Sequence, residues 1–166
     1  MDKTDGKISL GFYNRNHHSA LQKYDLPEDQ LCYSGLPIEC LKDCLADDKR
    51  CPVVILYGSD PAGFMILHKW PGAEPYCKNQ RTLLLRAFSV DTHYQHKGIA
   101  SRALMLLDPF IQTYFVGIDE IVLGVNCRNE VAQHVYIKAG FRDSGKRKEG
   151  KHGSMMVLIK ALSHAV

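Results

Sequence analysis

The stretch that most limits what this chain can become is TLLLRAFSVDTHYQHKGIASRALMLL, residues 82–107. It passes from an apolar, β-rich run over 82–90, through a polar loop containing Gly98, into a strong helix former within 93–107. A strand that feeds a helix across such a loop brings consecutive loop N–H groups and the positive end of the helix dipole together. That arrangement suits phosphate oxygens without requiring a charged side chain. Gly98 permits close backbone approach, and Ala100 keeps the first turn narrow. The loop Gln95-His96-Lys97-Gly98-Ile99-Ala100 is neither the GxGxxG of a dinucleotide fold nor a P-loop ending in Gly-Lys-Ser/Thr, so both readings are set aside.

The remaining chain fills in a mixed α/β pattern. KISLGFYN (7–14) alternates as a half-buried strand does, and NHHSALQK (16–23) begins a helix. Leu36, Cys40, Leu41, Cys44 and Leu45 fall on a helical stripe, which predicts a helix over 37–47 with Pro37 in its first turn. CPVVILYG (51–58) and GFMILHKW (63–70) read as a hairpin turning at Ser59-Asp60-Pro61-Ala62. Pro109 is expected to kink the helix that closes 93–107 or to start a second one capped by Asp108. EIVLGVN (120–126) is a strand, and 129–141 is a helix with Asn129 as N-cap and Gly140 just past its end. A glycine-rich basic hairpin then leads to a closing strand over 153–162, Gly145, Gly150 and Gly153 reading as turn positions. The expectation is one α/β (α+β) domain with a mixed sheet over 1–166, without repeats or linkers.

Composition excludes more than it assigns. At 166 residues, 45% hydrophobic and 23% charged, the chain is too apolar to be disordered, and no apolar run approaches the roughly 18 residues of a membrane span. The opening MDKTDGKISLGFYNRN has early acids and no long apolar region, so no secretory signal is expected and the cytoplasm is the predicted location. Six cysteines without a CxxC pair read as free thiols. Cys40 and Cys44, with His17 and His18 upstream, lack a second pair at ligand spacing, so no metal is expected.

Charge is unevenly placed. Residues 1–83 carry 10 basic and 11 acidic side chains, and residues 84–166 carry 11 and 7. Asp25, Glu28, Asp29, Glu39, Asp43, Asp47 and Asp48 lie in one stretch, ordinarily a solvated helical face. The basic cluster Arg142, Lys146, Arg147, Lys148 and Lys151 has no aromatic residue beyond Phe141 on which bases would stack, so nucleic acid is not an expected partner.

Gln95, Gly98 and Ala100 match the pyrophosphate loop of the GNAT acetyltransferase superfamily: Gln or Arg, two free positions, Gly, one free position, then Gly or Ala. Upstream, FSVDTHYQHKGIA resembles that family's approach to the loop. Downstream, NCRNEVAQHVYIKAGF resembles its second motif, with Asn129, Ala132, Tyr136 and Gly140-Phe141 in register. The resemblance runs over about 50–165 and is specific over 82–141. The N-terminal third, including QLCYSGLPIECLKD, is more loosely similar to bacterial spermine/spermidine acetyltransferases.

The resemblance implies a mostly antiparallel, twisted sheet flanked by helices, with a central pair of parallel strands that splay around acetyl-CoA, the acetyl donor. Phe88 and Val90 would offer main-chain hydrogen bonds to the pantetheine arm, a bulge N–H polarising the thioester carbonyl. Gln95, His96, Lys97, Gly98, Ile99, Ala100 and Ser101 would wrap the pyrophosphate, with Lys97 and Arg102 adding charge. Asn129 would cap the second helix and touch the cofactor arm, and the Tyr136 hydroxyl would protonate the departing thiolate. The implied reaction is direct attack of a neutral amine in a ternary complex. No Asp or Glu lies within 82–90, where several members place a carboxylate; Arg86 stands there instead. His68, Glu74, Asp91 and His93 are candidate bases, and the sequence does not choose among them.

The acidic run falls where the family walls the acceptor side, which suits a polyamine as the small-molecule amine. A peptide, protein or amino-acid amine, or a CoA-binding regulatory module without catalysis, are the alternatives. No membrane partner is expected, and a homodimer is, from exposed strands and dimeric relatives.

Overall fold

The computed structural model describes residues 6–162. Strand β1 (Ile8–Phe12) leads into helix α1 (Arg15–Gln22), the four-residue helix α2 (Glu28–Leu31) and helix α3 (Pro37–Ala46). Asn14 and His17 cap α1 reciprocally, and Pro37 sits in the first turn of α3, where its missing N–H costs nothing. Strands β2 (Arg50–Tyr57) and β3 (Asp60–His68) follow, then β4 (Thr82–Val90), a 3-10 turn at Thr92–Tyr94 and helix α4 (Ile99–Tyr114). Strand β5 (Glu120–Asn126), helix α5 (Glu130–Lys138) and strands β6 (Arg142–Gly150) and β7 (Gly153–Ala161) complete the order.

Two boundaries differ from the sequence reading and one is resolved. The β2–β3 turn lies at Gly58-Ser59, and Asp60–Ala62 already belong to β3; Gly58, at φ +62°, supplies the left-handed residue a tight turn needs. Helix α4 starts at Ile99, after the loop, and runs through Pro109 to Tyr114 with no second helix starting there. The hydrogen bond lost at Pro109 falls on Met105, which is 74% exposed, while buried Leu107, Phe110 and Ile111 hold the helix onto the sheet. The basic segment is itself edge strand β6, with Gly145 inside it at a register shift rather than in the turn. Lysines and arginines on an exposed edge discourage pairing with another chain.

The seven strands lie in the order β1-β2-β3-β4-β5-β7-β6, antiparallel except for β4 and β5. That parallel pairing covers only Thr82 to Leu84 against Glu120 to Val122; beyond it the two strands no longer pair with each other, β4 running on to Val90 against β3 and β5 to Asn126 against β7. A bulge in β4 accompanies the separation: Ile66 faces Arg86 and Phe64 faces Ser89, so Ala87 and Phe88 share the span opposite Met65. Ala87 adopts φ +54°, a left-handed conformation unusual for a residue with a Cβ.

Side chains alternate across the sheet. Leu83, Leu85 and Leu123 join α4 residues Leu104, Leu107 and Ile111 on one face. Val54, Phe64 and Ile66 pack with Leu21, Tyr24 and Leu41 on the other. Each such buried side chain contributes roughly 1.5–3 kcal/mol. The two layers leave the open ends of β4 and β5 facing a gap.

Candidate functional site

That gap is a cavity of about 740 Å³, bounded by the end of β4, the N-termini of α4 and α5, and the segment around α2. Of the residues singled out in the sequence, Phe88, Val90, Gln95, His96, Gly98, Ile99, Ala100, Ser101, Asn129 and Tyr136 line it. Lys97 does not: its ammonium lies over the Tyr57 ring, 5.7 Å from the centroid. Arg102 also points elsewhere, donating to the Gly6 carbonyl.

The loop is built to present donors. His96 (φ +64°) and Gly98 (φ +72°) both take left-handed conformations, and Gly98 caps α4 without a side-chain hydrogen bond. Among the described residues, the N–H groups from His96 to Ser101 have no acceptor, and the first bond of the helix is Arg102 N–H to the Gly98 carbonyl. Six adjacent donors at a helix N-terminus, with no acidic residue in its first turn, favour an anion. Gln95 has a different task. Its Nε2 donates to the Val90 carbonyl and to Gln30 Oε1, each at 2.9 Å, tying the loop to β4 and to α2.

Across the cavity, Asn129 caps α5 by accepting the Ala132 N–H at 3.3 Å. The Tyr136 ring lies 5.9 Å from that of Phe88, and burial pushes its hydroxyl pKa up, so it stays protonated at neutral pH. Its hydroxyl has no hydrogen-bond partner among the described residues.

None of the four candidate bases is both free and in the cavity. Buried Asp91 accepts the Asp25 N–H on Oδ2, and the N–H and Nδ1 of His93 on Oδ1, each at 2.8 Å. That contact also occupies His93. His68 is buried, with Nε2 3.1 Å from Asp47 Oδ2 and Nδ1 3.3 Å from Arg86 Nη1. Because a guanidinium only donates, Nδ1 is the acceptor and the Nε2 proton goes to Asp47. Burial, then Arg50 and Arg86, hold this imidazole below its ordinary pKa. Glu74 is exposed and does not line the cavity.

The sequence reading placed the acidic run, Asp29 included, on the acceptor wall but did not single out Gln30, Cys32, Tyr33 and Ser34 there, nor Tyr94, Arg128 and Glu130. Pro27 followed by Glu28 and Asp29 is a short helix-start signal that would have flagged α2. Of the acidic run, only Asp29 lines the cavity. Glu39 pairs with Lys42, Asp43 and Asp47 with Arg50, and Asp47 also with His68.

All six cysteines are free, and burial pushes the Cys44 thiol up to about 11. Among the described residues no cluster of three or more His, Cys, Asp or Glu is placed to hold a metal, and no helix is long and apolar enough to cross a membrane.

Residues 14–141 match the profile of the Acetyltransferase (GNAT) family. The chain is 40% identical over 152 residues to the uncharacterized N-acetyltransferase YbbJ of Bacillus subtilis (strain 168), covering 91% of this chain and 95% of that protein. It is 30% identical over 143 residues to the spermine/spermidine N(1)-acetyltransferase of the same strain, covering 84% and 90%. Among solved structures it resembles AAC(6')-Ib in complex with acetyl-CoA, with a TM-score of 0.75 at 13% identity over 93% of each chain.

Proposed function

The chain belongs to the acetyltransferase (GNAT) family and is an acetyl-CoA-dependent N-acetyltransferase, and from that premise we propose that residues 1–166 act as one unit on a small-molecule primary amine, by direct attack with both substrates bound. The observation that carries the placement of the donor is the run of unpaired N–H groups from His96 to Ser101, opening onto a cavity between splayed strands. A volume of about 740 Å³ lies within the usual range for small-molecule sites.

Acetyl-CoA supplies an acyl group already activated as a thioester. In our reading the His96–Ser101 amides hold its pyrophosphate, and the main chain at Phe88 and Val90 aligns the pantetheine arm beside Asn129. Because the Val90 carbonyl already accepts from Gln95, the role of the Gln95 side chain is to set the loop. The Phe88 N–H, at the bulge, stabilises negative charge growing on the carbonyl oxygen. The amine lone pair forms the N–C bond, and the C–S pair leaves with sulfur. Tyr136 gives that sulfur a proton, the surplus proton on nitrogen passes to water, and Tyr136 takes a proton back from water to close the cycle.

Asp29 and Glu130 are exposed carboxylates on the cavity wall, and they support a polyamine acceptor by attracting a cationic amine. The relative named for spermine and spermidine supports the same class. The test is CoA release with spermidine, spermine, amino acids and peptides. Turnover of a polyamine is expected; turnover confined to amino acids or peptides removes the polyamine reading. Acetyl-CoA binding without turnover of any amine indicates a non-catalytic module.

A further inference from the structure

Two stretches more than 60 residues apart in the chain meet at the cavity, 24–34 and 89–101. The first is pinned at its start to the end of β4. The Tyr24 hydroxyl lies 2.8 Å from Ser89 Oγ, the Asp25 N–H donates to Asp91 Oδ2 at 2.8 Å, and the Asp25 carbonyl accepts the Thr92 N–H at 2.9 Å. Helix α2, further on, has no buried residue and no side-chain cap, and four residues are too few for a helix to stand alone. Among the described residues, one reciprocal pair of hydrogen bonds joins Glu28–Leu31 to anything outside 27–34. Gln95 Nε2 donates to Gln30 Oε1 at 2.9 Å, and Gln30 Nε2 donates to Gln95 Oε1 at 3.4 Å.

That pair also completes Gln95. Its other amide proton goes to the Val90 carbonyl at 2.9 Å, which fixes the donor end of the carboxamide, so Gln30 supplies two of the three bonds that set this side chain. The next residue, His96, is held at φ +64°, a conformation disfavoured for a residue with a Cβ and kept only where the surroundings impose it. His96 opens the run of N–H groups that have no acceptor. On the opposite wall, the Gln30 carbonyl accepts the N–H groups of Tyr33 and Ser34, each at 3.0 Å. Gln30 thus organises the wall through its backbone and the loop through its side chain, and it lines the cavity together with Gln95, Tyr33 and Ser34.

We propose that Gln30 is a positioning residue for acetyl-CoA: from the opposite wall it fixes the Gln95 carboxamide, and through it holds the His96–Ser101 loop in the form that takes the anion. This rests on the placement of the pyrophosphate given above. Linkage is reciprocal, so a loop fixed by the cofactor fixes Gln95, and Gln95 then steadies α2 and the turn at Tyr33 and Ser34.

The test is calorimetric titration with CoA, which carries the pyrophosphate and transfers nothing, on Gln30→Leu, Gln95→Leu and the double variant. Gln30→Leu is expected to weaken CoA binding about fivefold and Gln95→Leu by at least as much. The double variant should match Gln95→Leu alone to within about twofold, because Gln30 acts through Gln95. Losses that multiply in the double variant indicate direct contact between Gln30 and the cofactor and overturn the proposal. An unmoved Kd with a lowered urea midpoint also overturns it, making Gln30 a structural residue only. An affinity moved by neither single variant removes the placement of the pyrophosphate at this loop and the proposal with it, whereas one moved by Gln95→Leu alone removes the proposal and leaves that placement standing. Hydrogen exchange supplies a second reading should Gln30→Leu not fold. With saturating CoA the Tyr33 and Ser34 amides are expected to exchange more slowly in the unsubstituted protein and at an unchanged rate in Gln95→Leu. Equal slowing in both proteins, or none in either, overturns the proposal.

Discussion

Phe141 donates its backbone N–H to the Tyr136 carbonyl at 3.1 Å, while the two rings meet edge to face with centroids 5.7 Å apart. Between them Gly140, at φ +100°, donates to the Ile137 carbonyl at 3.1 Å. These bonds close the C-terminus of α5 as a Schellman motif, and the ring pair is its hydrophobic contact. Phe88 packs on Tyr136 from β4. The helix end thus sets the tyrosine ring, leaving the hydroxyl free for chemistry.

Replacing Tyr136 by Phe keeps both ring contacts and removes only the proton donor. The expected outcome is a fall in kcat of about 10²-fold, with acetyl-CoA affinity within about twofold of the parent. Stopped-flow or steady-state CoA release together with calorimetric titration separates the two quantities. An unchanged kcat assigns the acid elsewhere.

Gly140→Ala tests the helix end itself. A Cβ there would sit 3.2 Å from Lys160 Cε on a backbone held at φ +100°. The expected loss is about 1–2 kcal/mol in urea unfolding. Transfer should also slow, because the carbonyl and ring of Tyr136 are held through this turn. Parental stability would mean that the turn re-forms without a left-handed residue.

The sequence carried the loop and both helices that flank the cavity because their signals are local: Gly98 before a helix, Asn129 as N-cap and Gly140 as terminator. The places of Gln30, Cys32, Tyr33 and Ser34 on the cavity wall were not legible. This stretch owes its place to distant partners, Tyr24 to Ser89, Asp25 to Asp91 and Gln30 to Gln95, each more than 60 residues away in the chain. Side-chain direction was hidden for the same reason. Lys97 found Tyr57 and Arg102 found Gly6 through tertiary packing, although both belong to a segment whose backbone was read correctly. Glu39, Asp43 and Asp47 of the acidic run were drawn to Lys42, Arg50 and His68, partners that a count of charges does not reveal.

His68 predicts a window of acid sensitivity. Its folded pKa lies below 6.5 because burial, Arg50 and Arg86 disfavour the imidazolium. The unfolded chain therefore takes up the proton first. Stability is fully present above about pH 6.5 and declines as pH falls toward the folded value, by at most about 1.4 kcal/mol per pH unit. His17, also lowered by burial, adds a slope of the same sign. Asp47, whose pKa is lowered chiefly by the Lys49 N–H, loses its contribution only below the ordinary carboxylate range. Unfolding free energies from pH 7 to 5 should show this slope, and His68→Gln should reduce it. An equal slope in both proteins would show that His68 titrates alike folded and unfolded.

Gly98→Ala separates backbone strain from ligand approach. Gly98 adopts φ +72° with nothing of the protein within 4 Å of an added Cβ, and it lies on the cavity wall. Gly117 adopts φ +77° with equally open surroundings, between α4 and β5 and away from the cavity. The two alanine variants carry the same local penalty, about 1 kcal/mol for a left-handed alanine. They differ in what the new methyl faces. At Gly98 it projects where the loop amides are proposed to meet pyrophosphate, so acetyl-CoA binding should weaken at least tenfold. Gly117→Ala should lose similar stability and keep parental affinity. Equal affinities in the two variants, measured by calorimetric titration, would mean that the ligand does not approach the backbone at Gly98.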